Sequence, residues 1–106
     1  MEKLDSSFFK KDTLWVSKNL LGTLLVHVIG GERRSGFIIE TEAYTGVDDR
    51  ACHTFGGKKT ERLKSMYLPF GHAYVYLIYG MHYCFNIVTR EEGDPQAVLI
   101  RALMPF

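Results

Sequence analysis

Short apolar blocks separated by glycines, prolines and charged residues set the pattern of this chain. The stretch DTLWVSKNLLG, residues 12–22, sets Leu14, Val16, Leu20 and Leu21 between a possible N-cap, Asp12 or Thr13, and a glycine stop at Gly22. That pattern predicts a short helix. TLLVHVI follows, and Gly30 and Gly31 join it to RRSGFIIETEAY, which predicts a hairpin of two strands. From Thr45 to Gly57 the chain turns polar and glycine-rich, as a loop would. TERLKSMYL reads as a second short helix capped by Thr60 and ended before Pro69 and Gly71. A third strand over 73–79, a turn around Gly80, a fourth strand over 83–89, the turn REEGDPQ and a fifth strand AVLIRAL complete the chain. Connections this short favour antiparallel pairing. The expected class is α+β, a mixed and largely antiparallel sheet of about five strands with short helices in a single domain.

With 106 residues, the chain has room for one small domain and a modest core. Hydrophobic residues make up 46% and charged residues 24%, a globular balance. His27 and Tyr79 interrupt the longest apolar runs well short of a membrane span. MEKLDSSFFKKD has neither an apolar signal core nor a purely basic character, so no secretory or transit signal is read there. A soluble, cytoplasmic monomer with no membrane partner is the expectation. Two cysteines, Cys52 and Cys84, match no zinc spacing, and adjacent Cys52 and His53 would point apart. Reduced thiols and no metal site are expected.

Net charge is only +1, but its distribution is uneven. Glu40, Glu42, Asp48 and Asp49 fall within residues 40–49 without a base, while Lys58, Lys59, Arg62 and Lys64 stand against Glu61 alone over residues 58–64. Two solvated loops would look this way. So would an acidic reactive centre beside a phosphate-binding patch. On a strand, Glu40, Glu42 and Tyr44 share one face and Ile39, Thr41 and Ala43 the other. Like charges so placed would raise at least one carboxyl pKa, which suits a general base, although an ordinary solvent face on an edge strand is the better reading of this segment alone. A sugar-cleaving pair fits less well, because such carboxylates flank their substrate and these lie on one side of one strand.

HAYVYLIYGMHYCFN, residues 72–86, holds four tyrosines and two histidines in fifteen positions. Core filling would use phenylalanine more cheaply, since a buried phenol must find a hydrogen-bond partner. Aromatic platforms beside basic residues stack nucleobases, and a tyrosine at a turn tip can act as a wedge between base pairs. Together with an acidic centre, these parts suit an enzyme that extracts one nucleotide and reacts with it.

ETEAYTGVDDRACHTFGGKKT, YVYLIYGMHYCFNIV and VLIRALMP resemble motifs of the alkyladenine (3-methyladenine) DNA glycosylase family, and SFFKKDTLWVSKNLLGTLLV resembles its N-terminal part. The resemblance runs in order over essentially all of residues 1–106. It implies a monofunctional base-excision-repair enzyme that flips an alkylated or deaminated purine out of double-stranded DNA and hydrolyses its glycosidic bond. By position, Glu42 would activate water and Arg101 would hold that water and a phosphate. Tyr44 and Tyr76 would stack the flipped base, His53 would meet it edge-on, and Asn86 would limit which purines fit. Tyr79 would fill the gap in the duplex beside Gly80 and Met81, and Lys58, Thr60 and Arg62 would contact DNA. No cofactor is implied. The compartment would be the nucleoid-bearing cytoplasm of a bacterium or the nucleus of a eukaryote. Family members are nearly twice as long, so the resemblance also implies that the C-terminal half of the family domain is absent here. A weakly active or inactive DNA-binding remnant is the alternative.

Overall fold

The computed structural model describes residues 3–78 and 82–106. Its centre is a five-stranded sheet of β1 (Leu24–Ile29), β2 (Glu32–Tyr44), β3 (Ala73–Ile78), β4 (His82–Thr89) and β5 (Gln96–Pro105). Spatial order is β1-β2-β5-β4-β3, and all four neighbouring pairs are antiparallel. The expected α+β class holds, with no parallel pair among the described residues. Helix α1 (Thr13–Leu20) starts where the pattern places it: Asp12 is the N-cap, and its carboxylate accepts from Trp15 N at 3.2 Å. It ends before Gly22, whose φ of 84° is costly for other residues and whose N–H reaches Ile38 O at 2.8 Å.

One helical expectation changes, and a helical turn outside the expected pair appears near the N-terminus. Glu61–Tyr67 is a 3₁₀ turn rather than an α-helix, and Thr60 stands at its N-cap without a side-chain cap bond. Without that bond and with few residues, the tighter i→i+3 form prevails. Ser6–Lys10 forms a further 3₁₀ turn not foreseen from the pattern, with the Asp5 side chain accepting from Ser7 N at 2.9 Å.

Both faces of the sheet are covered over part of their area. On one face, Val16 and Leu20 of α1 pack on Ile38, Ile87, Val98 and Ile100, with Phe8 and Phe9 from the first 3₁₀ turn at the margin. On the other, Cys52, Leu63 and Met66 from the long β2–β3 connection pack on Tyr74, Val88 and Ala97. Strand β2 serves both layers through a bulge. Its register against β5 slips between Ile38 and Glu40 and again between Glu40 and Thr41. Ile38 is consequently 2% exposed while Ile39 is 47% exposed, and Thr41 returns to the α1 side to bond Ser17 Oγ at 2.9 Å. The expected grouping of Ile39 with Thr41 therefore fails, because the extra residue of a bulge resets the alternation. Gly36 permits close approach nearby: a Cβ there would meet Met104 O at 3.0 Å and Leu103 Cβ at 3.1 Å.

Candidate active site

On the face away from α1, a shallow open slot is lined by Tyr44, Ala51, Cys52, His53, Met66, Tyr74, Tyr76 and Asn86. Four expected base-contacting residues, Tyr44, His53, Tyr76 and Asn86, thus meet in one concavity from β2, the following loop, β3 and β4. Asp49 shapes that loop: its two carboxylate oxygens accept from Ala51 N at 2.9 Å and Thr45 N at 3.0 Å. Thr54, fully buried, donates to Pro95 O at 3.3 Å, and its hydroxyl lies 3.0 Å from Cys52 Sγ. With Cys52 and Thr54 turned inward, His53 between them turns out to the slot mouth. One acid of the acidic block is therefore a loop staple.

The His53 ring stands edge-on to Tyr76, with centroids 4.4 Å apart and planes at 71°. Its Nδ1 lies 2.9 Å from the Tyr74 hydroxyl. Desolvation, then the charges of Arg62 and Lys58, push the His53 pKa down, so the ring is neutral at physiological pH. Burial is also the main reason that the Tyr74 phenol is pushed up to about 12 and the Tyr44 phenol to about 12. Asn86, 2% exposed, donates its amide to Tyr74 O at 3.2 Å and to Cys84 O at 3.4 Å. Those bonds fix the amide plane at the slot wall.

Glu42 joins the slot through Tyr44, whose hydroxyl donates to Oε1 at 2.9 Å. Its other oxygen accepts from Arg101 Nη1, while Arg101 Nε lies 3.5 Å from Glu40 Oε2. The expectation that paired carboxylates would raise a pKa is reversed here. The hydrogen bond from Arg101, followed by that from Tyr44, holds Glu42 below its ordinary value. Local sequence showed an acidic block with no base, but β5 delivers Arg101 across the bulge.

The basic block is partly engaged within the chain. Lys64 pairs with Glu61 at 2.9 Å, Lys59 lies 5.0 Å over the Tyr67 ring, and the Lys58 carbonyl accepts from the Tyr67 hydroxyl at 2.6 Å. Lys58 and Arg62 lie close enough to act on His53, whereas Thr60 is exposed outside the slot lining. Tyr79, Gly80 and Met81, expected at the duplex gap, lie outside the described residues. Tyr74 was not singled out for a role from sequence. Its signal was available: it stands two positions before Tyr76, on the same strand face, and a buried phenol requires a partner.

Residues 7–106 match the family described as Methylpurine-DNA glycosylase (MPG). The chain belongs to that family. Proteins named "Putative 3-methyladenine DNA glycosylase" are similar over nearly all of it. One from Desulfitobacterium hafniense (strain Y51) is 55% identical over 105 residues, covering 99% of this chain and 52% of the relative. Another from Bacillus mycoides (strain KBAB4) is 59% identical over 99 residues, covering 93% and 48%. The chain spans about half the length of the curated relatives it matches.

Proposed function

We propose that this chain carries the base-binding and water-activating part of a monofunctional DNA glycosylase that acts on alkylated or deaminated purines in double-stranded DNA. The observation that carries the reading is the Glu42 carboxylate, fixed by Tyr44 and Arg101 at the edge of a slot whose walls are aromatic rings. A purine alkylated on a ring nitrogen is cationic and already a good leaving group. Each aromatic face attracts it by roughly 0.5–2 kcal/mol, enough to select the lesion but not to break the bond. Base flipping brings the damaged purine between Tyr44 and Tyr76. Glu42, ionised at neutral pH, then takes a proton from water as that water attacks C1′, and its charge favours an oxocarbenium-like sugar. Arg101 orients the carboxylate and meets a phosphate. Tyr79 fills the vacated place in the duplex, as a wedge residue would. Among the described residues no lysine lines the slot to form a Schiff base, in keeping with simple hydrolysis.

A second reading has one observation in its favour, the match to only about half of each relative. On it, the chain keeps the slot and binds damaged DNA without turnover. One assay separates the two: release of 7-methylguanine or 3-methyladenine from alkylated duplex DNA by residues 1–106, beside Glu42→Gln. Release that the variant loses supports the glycosylase. Binding retained by both proteins without release by either supports the remnant.

A further inference from the structure

We propose that Glu40 is a positioning residue: its carboxylate holds the Nε edge of the Arg101 guanidinium, which aims Nη1 at Glu42. Arg101 stands between these two carboxylates. Its Nη1 donates to Glu42 Oε2, and its Nε lies 3.5 Å from Glu40 Oε2. The backbone prepares this arrangement. Between β2 and β5, Ile38 faces Leu103 and Thr41 faces Ile100, so an unbroken ladder would set Glu40 squarely opposite Arg101. Glu40 faces Ala102 instead, and the pairing passes over Ile39 on β2 and Arg101 on β5. The register is the same on either side, so the two irregularities cancel and displace Glu40 alone. A carboxylate directly opposite Arg101 would compete with Glu42 for the guanidinium. Displaced by one position, Glu40 keeps the near edge and leaves Nη1 to Glu42. Because the guanidinium is a rigid plane, fixing its Nε edge also fixes where its outer nitrogens point. A single contact would leave this long side chain, 59% exposed, free to swing.

Two effects of Glu40 on Glu42 oppose each other. As a like charge two positions away on the same face, about 7 Å along the strand, it disfavours the ionised carboxyl. By steadying Arg101 it favours that form, and the hydrogen bond from Arg101 is the largest cause of the depressed Glu42 pKa. The repulsion is screened by solvent, since the Glu40 side chain is 58% exposed, whereas the Arg101 bond is made in contact. Positioning therefore outweighs repulsion. The other groups that face Glu42 leave this sign alone. Tyr44 donates to it from β2, and Leu99 opposite on β5 and Asn86 beyond on β4 are uncharged. A further consequence rests on the glycosylase reading. Glu42 and Arg101 together are neutral, and Glu40 returns a net negative charge to the slot edge, where a cationic purine and an oxocarbenium-like sugar would lie.

The test is carbon-13 NMR of labelled glutamate carboxyls in the intact 106-residue chain, with Glu42 assigned by its loss in Glu42→Gln. The Glu42 midpoint should lie below the ordinary 4.5, and Glu40→Gln should raise it toward that value. The thermal melt should hardly move, because exposed ion pairs add little to stability. In an Arg101→Gln background only the like-charge repulsion remains, so Glu40→Gln should there lower the midpoint. A midpoint that Glu40→Gln lowers or leaves unchanged beside an intact Arg101 overturns the proposal. So does a rise that persists without Arg101, since Glu40 would then act by another route. None of these measurements needs catalysis, so a chain without glycosylase activity still decides the matter. Where release is measurable, Glu40→Gln should slow a cationic alkylated purine several-fold more than a neutral deaminated one. Equal slowing beside a raised midpoint would remove the charge half of the proposal and leave the positioning half.

Discussion

The two faces of the sheet are built from different chemistry. Against α1 the packing is mainly aliphatic: Val16, Leu20, Ile38, Ile87, Val98 and Ile100 form one cluster, beside which the hydroxyls of Thr13 and Ser17 bond Thr89, Gln96 and Thr41. Against the β2–β3 connection the sheet presents Tyr74, Tyr76, Tyr44 and Asn86, and polar atoms on that side are matched individually. The first face gains stability from removing carbon from water, at about 25 cal/mol per Å². The second hydrogen-bonds its buried phenol and amide and leaves an open concavity. Both faces bury apolar carbon, but the second, besides its cluster of Leu63, Met66 and Val88, also holds side chains in orientation around the slot.

The comparison is broken most severely by a pair of substitutions with opposite signatures. Glu42→Gln should lower base release by about 10²–10⁴-fold, the usual contribution of a general base, with the melting temperature nearly unchanged. Leu20→Ala, on the α1 face and 2% exposed, should cost about 2–5 kcal/mol by urea denaturation, a large part of the total stability of a small domain. Where the variant remains folded, its Glu42-dependent release should persist. A Leu20→Ala protein that keeps full stability, or a Glu42→Gln protein that melts far lower, would show that the faces do not divide the work.

A smaller effect sharpens the polar side. Tyr44→Phe keeps the ring in the slot but deletes the hydroxyl that donates to Glu42. The expected loss of stability is about 0.5–1.5 kcal/mol, the net worth of one hydrogen bond. Losing a donor to the anion should also raise the Glu42 pKa and move the acid limb of release toward higher pH. A pH profile identical to that of the unaltered chain would mean that Arg101 alone sets the carboxylate.

The two faces also differ in how far they were legible from sequence. Binary patterning placed all five strands and α1, because burial against a helix imposes a period that the residues themselves display. It misgrouped Ile39 because a bulge is one residue long and leaves no compositional mark. On the polar face the residue types were visible, but their partners were not. Glu42 and Arg101 are 59 positions apart, and His53 and Tyr74 are 21 apart. Whether a carboxylate pair raises or lowers a pKa depends on such a distant cation, so the sign of the Glu42 shift could not be read from ETEAY alone. Asp49 was counted as acidic charge, although its oxygens are committed to loop amides.

The smallest expected effect is the pH dependence of stability, and it falls in two windows. His53 has a folded pKa below its ordinary 6.5, so the unfolded chain binds the proton more readily. Its contribution is complete above 6.5 and is lost as pH falls through the lower folded value. Glu42 follows the same sign in a more acidic window. Its contribution is complete above the ordinary 4.5 and is lost as pH falls through its depressed folded value. The Glu42 and Arg101 side chains are 37% and 59% exposed, so solvent screening should keep their part below about 1 kcal/mol. Asp5 and Glu61 are depressed as well, by Ser7 and Lys64, and add slope in the acidic range. The informative quantity is therefore a difference. Denaturation free energies of the unaltered chain and of Arg101→Gln, measured from pH 7 to pH 3, should converge as pH drops through the Glu42 window and remain parallel above it. His53→Gln should instead flatten the profile only in the higher window. Convergence in the higher window with Arg101→Gln would show that the guanidinium acts on the slot histidine rather than on the carboxylate.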